Sequence, residues 1–311
     1  MPERVLVAGC GAVGSVFACL LAERGHMVDV LGRGRHLMAV AADGIRVQGI
    51  WGEHHGRPVR SVEQASDLTG TYDAILVTCK SFQTSALVRQ LGVGRVRDDG
   101  VAISLQNGLG NWEVIAATFG SRRSLAARVI FGAEIAAPGM VSVTVEAEPV
   151  LVGHPSETQP QAAAWAGIFS RAGIASRPTD SILAALWGKV FYNAALNPMG
   201  ALLGLRYGEL AEDPLRRRVM DRVIEEAFAV AVAQGVTMPW RDAGEYKSLF
   251  YEKLVPATAR HRSSMLQDLE RGRTTEIDAI CGEVCRRADM AGIDVPTHRL
   301  LLALLRGRAA A

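Results

Sequence analysis

Residues 9–14 read Gly-Cys-Gly-Ala-Val-Gly, and they constrain the fold more than any other stretch of the 311-residue chain. The pattern G-x-G-x-x-G is weak when it stands alone. Here the apolar run 5–8 precedes it and a helix-favouring stretch, 12–24, follows, so the glycines sit at a strand-to-helix turn. In that setting each has its own task. Gly9 permits the tight turn, Gly11 lets the backbone approach a pyrophosphate, and Gly14 lets the helix pack closely on the strand. Cys10, Ala12 and Val13 complete a loop whose helix N-terminus offers free N–H groups and a positive dipole end to phosphates.

A loop of this kind belongs to parallel strands joined by crossover helices, and the first half of the chain alternates accordingly. Short apolar runs at 5–8, 27–31, 73–78 and 101–105 read as strands, with helices over 12–24 and 84–91. Runs at 125–131, 141–145 and 150–152 continue the strand pattern, and 45–47 with the glycine-rich stretch after it reads as a hairpin or an edge excursion. Beyond about residue 178 the texture changes to helix after helix: 182–203, 215–234, 245–254, 276–291 and 297–305. The expected class is therefore α/β, an N-terminal Rossmann domain with a parallel sheet over residues 1–176 and an all-helical domain over residues 177–311.

Composition narrows the partners. Lys plus Arg number 34 against 32 Asp plus Glu, a net charge of +2 that gives no reason to expect nucleic acid. No apolar run approaches the ~20 residues that span a bilayer, and glycines interrupt the first apolar stretch too soon for a signal peptide. Cys10, Cys19, Cys79, Cys281 and Cys285 form no disulfide or metal framework, so the reading is reduced thiols in a cytoplasmic protein without a bound metal.

The second strand decides which dinucleotide is expected. NAD sites end that strand with an acid for the ribose 2′-hydroxyl. Here Asp29 comes two or three residues too early, and the tip carries Arg33, whose guanidinium suits the 2′-phosphate of NADP(H). Two further polar residues follow strand ends, where open α/β sheets form their ligand crevice. Lys80 follows the run 73–78, and Asn107 lies in Gln106-Asn107-Gly108 after the run 101–105. An ammonium there can meet a carboxylate, and an amide can bond both cofactor and substrate, although Asn-Gly is also a turn dipeptide.

The segment 186–198 carries the chemistry. Lys189, Asn193 and Asn197 stand at i, i+4 and i+8 on one face of a helix that is otherwise almost wholly apolar. A helix apolar all round is buried, so these polar groups need partners, and an anionic, hydroxyl-bearing ligand would supply them. Partial burial also suits a lysine to general acid work. A second cluster runs from Ser264 to Glu276. Thr275 with Asp278 resembles a capping box, which would give Glu276 a purely structural place in a first helical turn. The functional alternative is that Ser264 and Glu276 complete a wall facing Lys189.

Taken together, these residues resemble the ketopantoate reductase (2-dehydropantoate 2-reductase) family. The glycine loop, Lys80, Gln106-Asn107-Gly108, Lys189-x-x-x-Asn193-x-x-x-Asn197-Pro198 and the run from Ser263-Ser264-Met265 to Thr275-Glu276-Ile277-Asp278 occur in order over nearly the whole chain. The resemblance implies a helical domain of the 6-phosphogluconate dehydrogenase C-terminal type and an active site in the cleft between the domains. It implies NADPH-dependent reduction of 2-dehydropantoate to (R)-pantoate, on the route to pantothenate and coenzyme A. Lys189 would then be the general acid, and Glu276 would bind the substrate hydroxyl or the water network around it. Asn193, Asn197 and Ser264 would hold the substrate, Asn107 would bridge cofactor and substrate, Lys80 would line the same pocket, and Arg33 would hold the 2′-phosphate. The partner is then a small 2-oxo acid, and a homodimer is compatible with the pattern. Two other readings stand beside it: a reductase of another branched 2-oxo acid, and a nonenzymatic NADP-binding sensor.

Overall fold

The computed structural model describes residues 2–309, which fall into two compact units. One comprises the residues up to Gln106 together with Asn111–Ile182; the other comprises Asn107–Gly110 together with the residues from Leu183 onward.

The first unit contains, in chain order, β1 (Arg4–Ala8), α1 (Ala12–Glu23), β2 (Met27–Leu31), α2 (Gly34–Asp43), β3 (Ile45–Gly49), β4 (His54–Gly56), β5 (Arg60–Val62), β6 (Tyr72–Val77), α3 (Thr84–Leu91), β7 (Val96–Ser104), α4 (Asn111–Phe119), β8 (Ser124–Arg128), β9 (Phe131–Ala137), β10 (Met140–Glu146), β11 (Val150–Gly153), α5 (Pro160–Arg171) and β12 (Ser176–Pro178). Its main sheet has eight strands in the order β12-β11-β8-β7-β6-β1-β2-β5, parallel throughout except where β11 meets β8. Both faces are covered, which is why β1 reads as continuous apolar sequence rather than alternating. Val5 and Val7 pack with Phe17 and Leu21 of α1, while Leu6 and Ala8 share the opposite core with Ile115 and Phe119 of α4.

A second sheet, ordered β4-β3-β10-β9, covers α1. The expected hairpin after residue 45 forms, with Ile45 paired antiparallel to Gly56. Gly56 lies so close to α1 that a Cβ there would stand 2.1 Å from the Cys19 carbonyl oxygen. The single strand expected over 125–131 is instead two strands in different sheets, β8 and β9.

The second unit is helical: α6 (Ile182–Leu203), α7 (Tyr207–Glu212), α8 (Pro214–Ala233), α9 (Ala243–Leu249), a π-helical turn over Phe250–Leu254, α10 (Val255–Ala257), α11 (Ser264–Glu270), a second π-helical turn over Asp278–Gly282, α12 (Glu283–Ala291) and α13 (Pro296–Ala309). Trp187, Val190, Phe191, Ala194, Ala195 and Leu196 of α6 are fully buried, as its apolar circumference requires. The expected boundary at 176/177 falls inside β12, which pairs Val150 with Ser176 and so completes the sheet; the division lies at 182/183 instead. The capping box expected from Thr275 and Asp278 is not formed. The π-turn starts there without a side-chain cap, and both Thr275 and Glu276 are buried. Among the described residues no helix is long and apolar enough to cross a membrane.

Candidate active site

The nucleotide loop is assembled at the carboxyl ends of β1, β2 and β6. The N–H groups of Gly9 and Cys10 donate to the Leu31 carbonyl at 2.9 and 3.2 Å, tying the loop to the tip of β2. On the other side Thr78 Oγ1 donates to the Gly9 carbonyl at 2.7 Å, tying it to the tip of β6. Gly9 has φ +126°, and a Cβ there would lie 2.3 Å from the Cys79 nitrogen, so no other residue fits. A Cβ on Gly14 would lie 2.1 Å from the Gly9 oxygen. A Cβ on Gly11 would meet nothing within 4 Å, leaving the open approach that a pyrophosphate needs. No side chain caps the N-terminus of α1 at Gly11, so its first N–H groups face that approach. The Cys10 thiol is pushed up to about 11 by burial, against a smaller opposing effect of its Ser15 contact, so it brings no negative charge to the loop.

Lys80 sits two residues beyond Thr78, at the start of a 3₁₀ turn, and is half-buried. Arg33 is exposed in extended backbone at the N-cap of α2, two residues past the β2 tip. Asp29 is turned inward, accepting from Tyr72 Oη at 2.7 Å and from Arg4 Nη2 at 3.4 Å, so it is a core residue and not a ribose ligand.

The helical unit gathers the remaining predicted residues. Lys189 Nζ donates to Asn107 Oδ1 at 2.7 Å. The short segment carrying Asn107 is anchored beside them: Leu109 is buried in the helical core, and its N–H donates to the Ala279 carbonyl at 2.9 Å. Gly108 has φ +83°, and a Cβ there would strike the Ala279 oxygen at 2.3 Å. Because the Ala279 N–H in turn donates to the Glu276 carbonyl at 3.1 Å, one strip of backbone ties Asn107 to the turn bearing Glu276. Glu276 is buried, 8% exposed.

Two turns along α6 from Lys189, Asn197 Oδ1 accepts from Tyr207 Oη at 2.5 Å. Burial, and secondarily Tyr192, hold the Tyr207 hydroxyl well above its usual range, so it stays a donor. That fixes the Asn197 amide with its NH₂ directed away from Tyr207. Ser263 Oγ accepts from the Leu266 N–H at 3.0 Å, capping α11, and donates to the Asn197 carbonyl at 3.4 Å. This contact brings the exposed Ser264 to the Asn197 end of α6. Asn193, between Lys189 and Asn197, is buried, and its amide bonds to no other described residue.

Three supporting residues were not anticipated. Tyr207 and Ser263 orient Asn197 and Ser264. Gln106, buried in the first unit, donates through Nε2 to the Cys79 carbonyl at 2.9 Å and to Thr84 Oγ1 at 2.7 Å, fixing the backbone that leads into Asn107. Gln106 and Ser263 stand inside the motifs that carry the family resemblance but were given no role there, and Tyr207 showed only as an aromatic after a turn.

A Rossmann unit with an open pyrophosphate loop, and a helical unit in which a lysine ammonium donates to the Asn107 amide, define an oxidoreductase of the dinucleotide-binding kind. Residues 5–156 match the family model described as ketopantoate reductase PanE/ApbA, and residues 181–309 match its C-terminal counterpart. The chain belongs to the ketopantoate reductase family. It is 33% identical over 310 residues to the 2-dehydropantoate 2-reductase of Aquifex aeolicus, covering 99% of this chain and 97% of the relative. It is 32% identical to that of Archaeoglobus fulgidus, with coverage of 98% and 97%. Among solved structures, a PanE/ApbA family ketopantoate reductase from Ralstonia eutropha JMP134 superposes with a TM-score of 0.87 at 31% identity, covering 99% of this chain and 98% of the other. A ternary complex of D-mandelate dehydrogenase with NADH and anilino(oxo)acetate shares the fold, with a TM-score of 0.89 at 22% identity over 99% and 98% of the two chains.

Proposed function

We propose that the chain reduces 2-dehydropantoate to (R)-pantoate with NADPH, Lys189 supplying the proton. The observation that carries this reading is the 2.7 Å hydrogen bond from Lys189 Nζ to Asn107 Oδ1. It fixes the position of the ammonium beside the Asn107 amide. NADPH supplies a hydride when bound, and Gly11 and Arg33 fit its pyrophosphate and 2′-phosphate.

Reduction of a ketone builds negative charge on the carbonyl oxygen. The Lys189 ammonium stabilises that charge and passes a proton from Nζ to the oxygen. Asn193, the NH₂ group of Asn197 and the Ser264 hydroxyl donate to the substrate's oxygens, while the Glu276 carboxylate accepts from its hydroxyl. Lys80 offers a second cation to the carboxylate. The names of the full-length relatives support the substrate.

The test is NADPH oxidation, followed by absorbance, across a panel of 2-oxo acids that includes ketopantoate. The expected result is the highest kcat/KM on ketopantoate. A higher value on another branched 2-oxo acid would overturn the substrate while sparing the proton donor, and no turnover on any acid would overturn the enzyme.

A further inference from the structure

We infer that Glu63 tunes the choice between NADH and NADPH, accepting from the ribose hydroxyls of NADH and opposing the 2′-phosphate of NADPH. The inference rests on the nucleotide-loop reading above. β5 lies parallel to β2, and their last paired residues are Leu31 and Val62. The Gly32 N–H donates to the Val62 carbonyl at 3.0 Å. The residues that follow, Gly32 and Glu63, therefore leave the same sheet edge side by side.

Glu63 then turns toward the β2 tip, where its Oε1 accepts from the Gly34 N–H at 3.3 Å. Its side chain is exposed, and it makes no ion pair among the described residues; nor does the neighbouring Arg33. The tip thus carries a cation and an anion that do not neutralise each other.

Dinucleotide folds that take NAD place an acid at the end of the second strand, where it accepts from the 2′-hydroxyl. Here β2 has no such acid, because Asp29 is committed to Tyr72 and Arg4. Glu63 supplies the missing carboxylate from the adjoining strand. A carboxylate offers about four acceptor positions, so the Gly34 bond leaves room for a hydroxyl. The same group meets a 2′-phosphate with like charge, a repulsive element beside the attractive Arg33. Preference between the two dinucleotides follows from the balance of these side chains rather than from Arg33 alone.

Calorimetric titration of the full-length protein with NADH and with NADPH, free of any substrate, measures that balance. Glu63→Gln keeps the shape and removes the charge. It should weaken NADH about tenfold, the worth of one charge-assisted hydrogen bond at an exposed site, and tighten NADPH severalfold. Arg33→Ala should do the reverse, weakening NADPH about tenfold with NADH nearly unchanged. If wild type binds NADH too weakly to measure, the NADPH shift alone decides. An unchanged NADPH-to-NADH affinity ratio in Glu63→Gln, including equal loss for both, overturns the role of Glu63 while leaving the loop assignment intact. A wild type that binds neither dinucleotide overturns the loop assignment as well.

Discussion

The contact between Lys189 and Asn107 lends itself to a double-mutant cycle. General acid catalysis is typically worth about 10²–10⁴-fold, so Lys189→Ala should lower kcat by that range while NADPH still binds. Asn107→Ala removes the acceptor 2.7 Å from Nζ. A hydrogen bond to a charged group is worth about 1.5–3 kcal/mol, which corresponds to about 10–100-fold in rate if the bond serves to aim the ammonium. If Asn107 works through Lys189, removing it from the Lys189→Ala enzyme costs kcat little more, and the coupling energy equals the single Asn107 effect. Any direct grip of Asn107 on cofactor or substrate survives in the Lys189→Ala background as a raised KM. Steady-state NADPH oxidation on the four proteins gives the cycle, with thermal melts to check folding. Effects that add to within about 0.5 kcal/mol would show that Asn107 acts independently of Lys189. A near-normal kcat in Lys189→Ala would move the proton source to Lys80 or to water.

Local features of this site were legible in the sequence, and features assembled over distance were not. The glycine loop depends on a few consecutive residues between a strand and a helix, so its pattern carries its own context. Lys189, Asn193 and Asn197 announced themselves because three polar side chains at helical spacing on a buried helix need a reason. Glu63 was invisible because it reaches the β2 tip only through the pairing of β5 with β2. The placement of Asn107 with the helical unit was equally hidden: nothing local in Gln106-Asn107-Gly108 indicates that Leu109 buries itself against Ala279. The Thr275–Asp278 pattern shows the converse failure. Its residues suit a capping box, but Thr275 and Glu276 are buried and the turn winds as a π-helix. Packing overrode local preference there. The serine pair shows a finer limit: the sequence singles out Ser264, while its buried neighbour Ser263 makes the cap and the bond to Asn197.

Three further outcomes are expected. Glu276→Ala should raise the substrate KM and lower kcat with NADPH affinity near wild type; normal kinetics with a lowered melting temperature would make Glu276 structural only. Tyr207→Phe frees the Asn197 amide to rotate and should raise KM several-fold with a smaller change in kcat, and unchanged kinetics would refute the orienting role of the 2.5 Å bond. Glu226→Gln tests the helical unit itself. The Glu226 carboxylate accepts from the N–H groups of Thr297 and His298 at 3.0 Å each and lies 2.8 Å from His298 Nδ1, capping α13 from α8. Burial pushes its carboxyl up, but the hydrogen bonds from His298 and Thr297 outweigh burial and hold it below the usual carboxylate value. A carboxyl lowered on folding adds stability above its unfolded pKa and loses it as pH falls through the folded one. Urea midpoints of wild type should therefore drop more steeply below about pH 4.5, the carboxyl's ordinary value, than those of Glu226→Gln, whose side chain cannot titrate. At neutral pH the variant, with a neutral amide in place of the charged acceptor of the Thr297 and His298 N–H groups, should be less stable by about 1 kcal/mol. Parallel acid slopes for the two proteins would show that the cap contributes nothing to acid sensitivity.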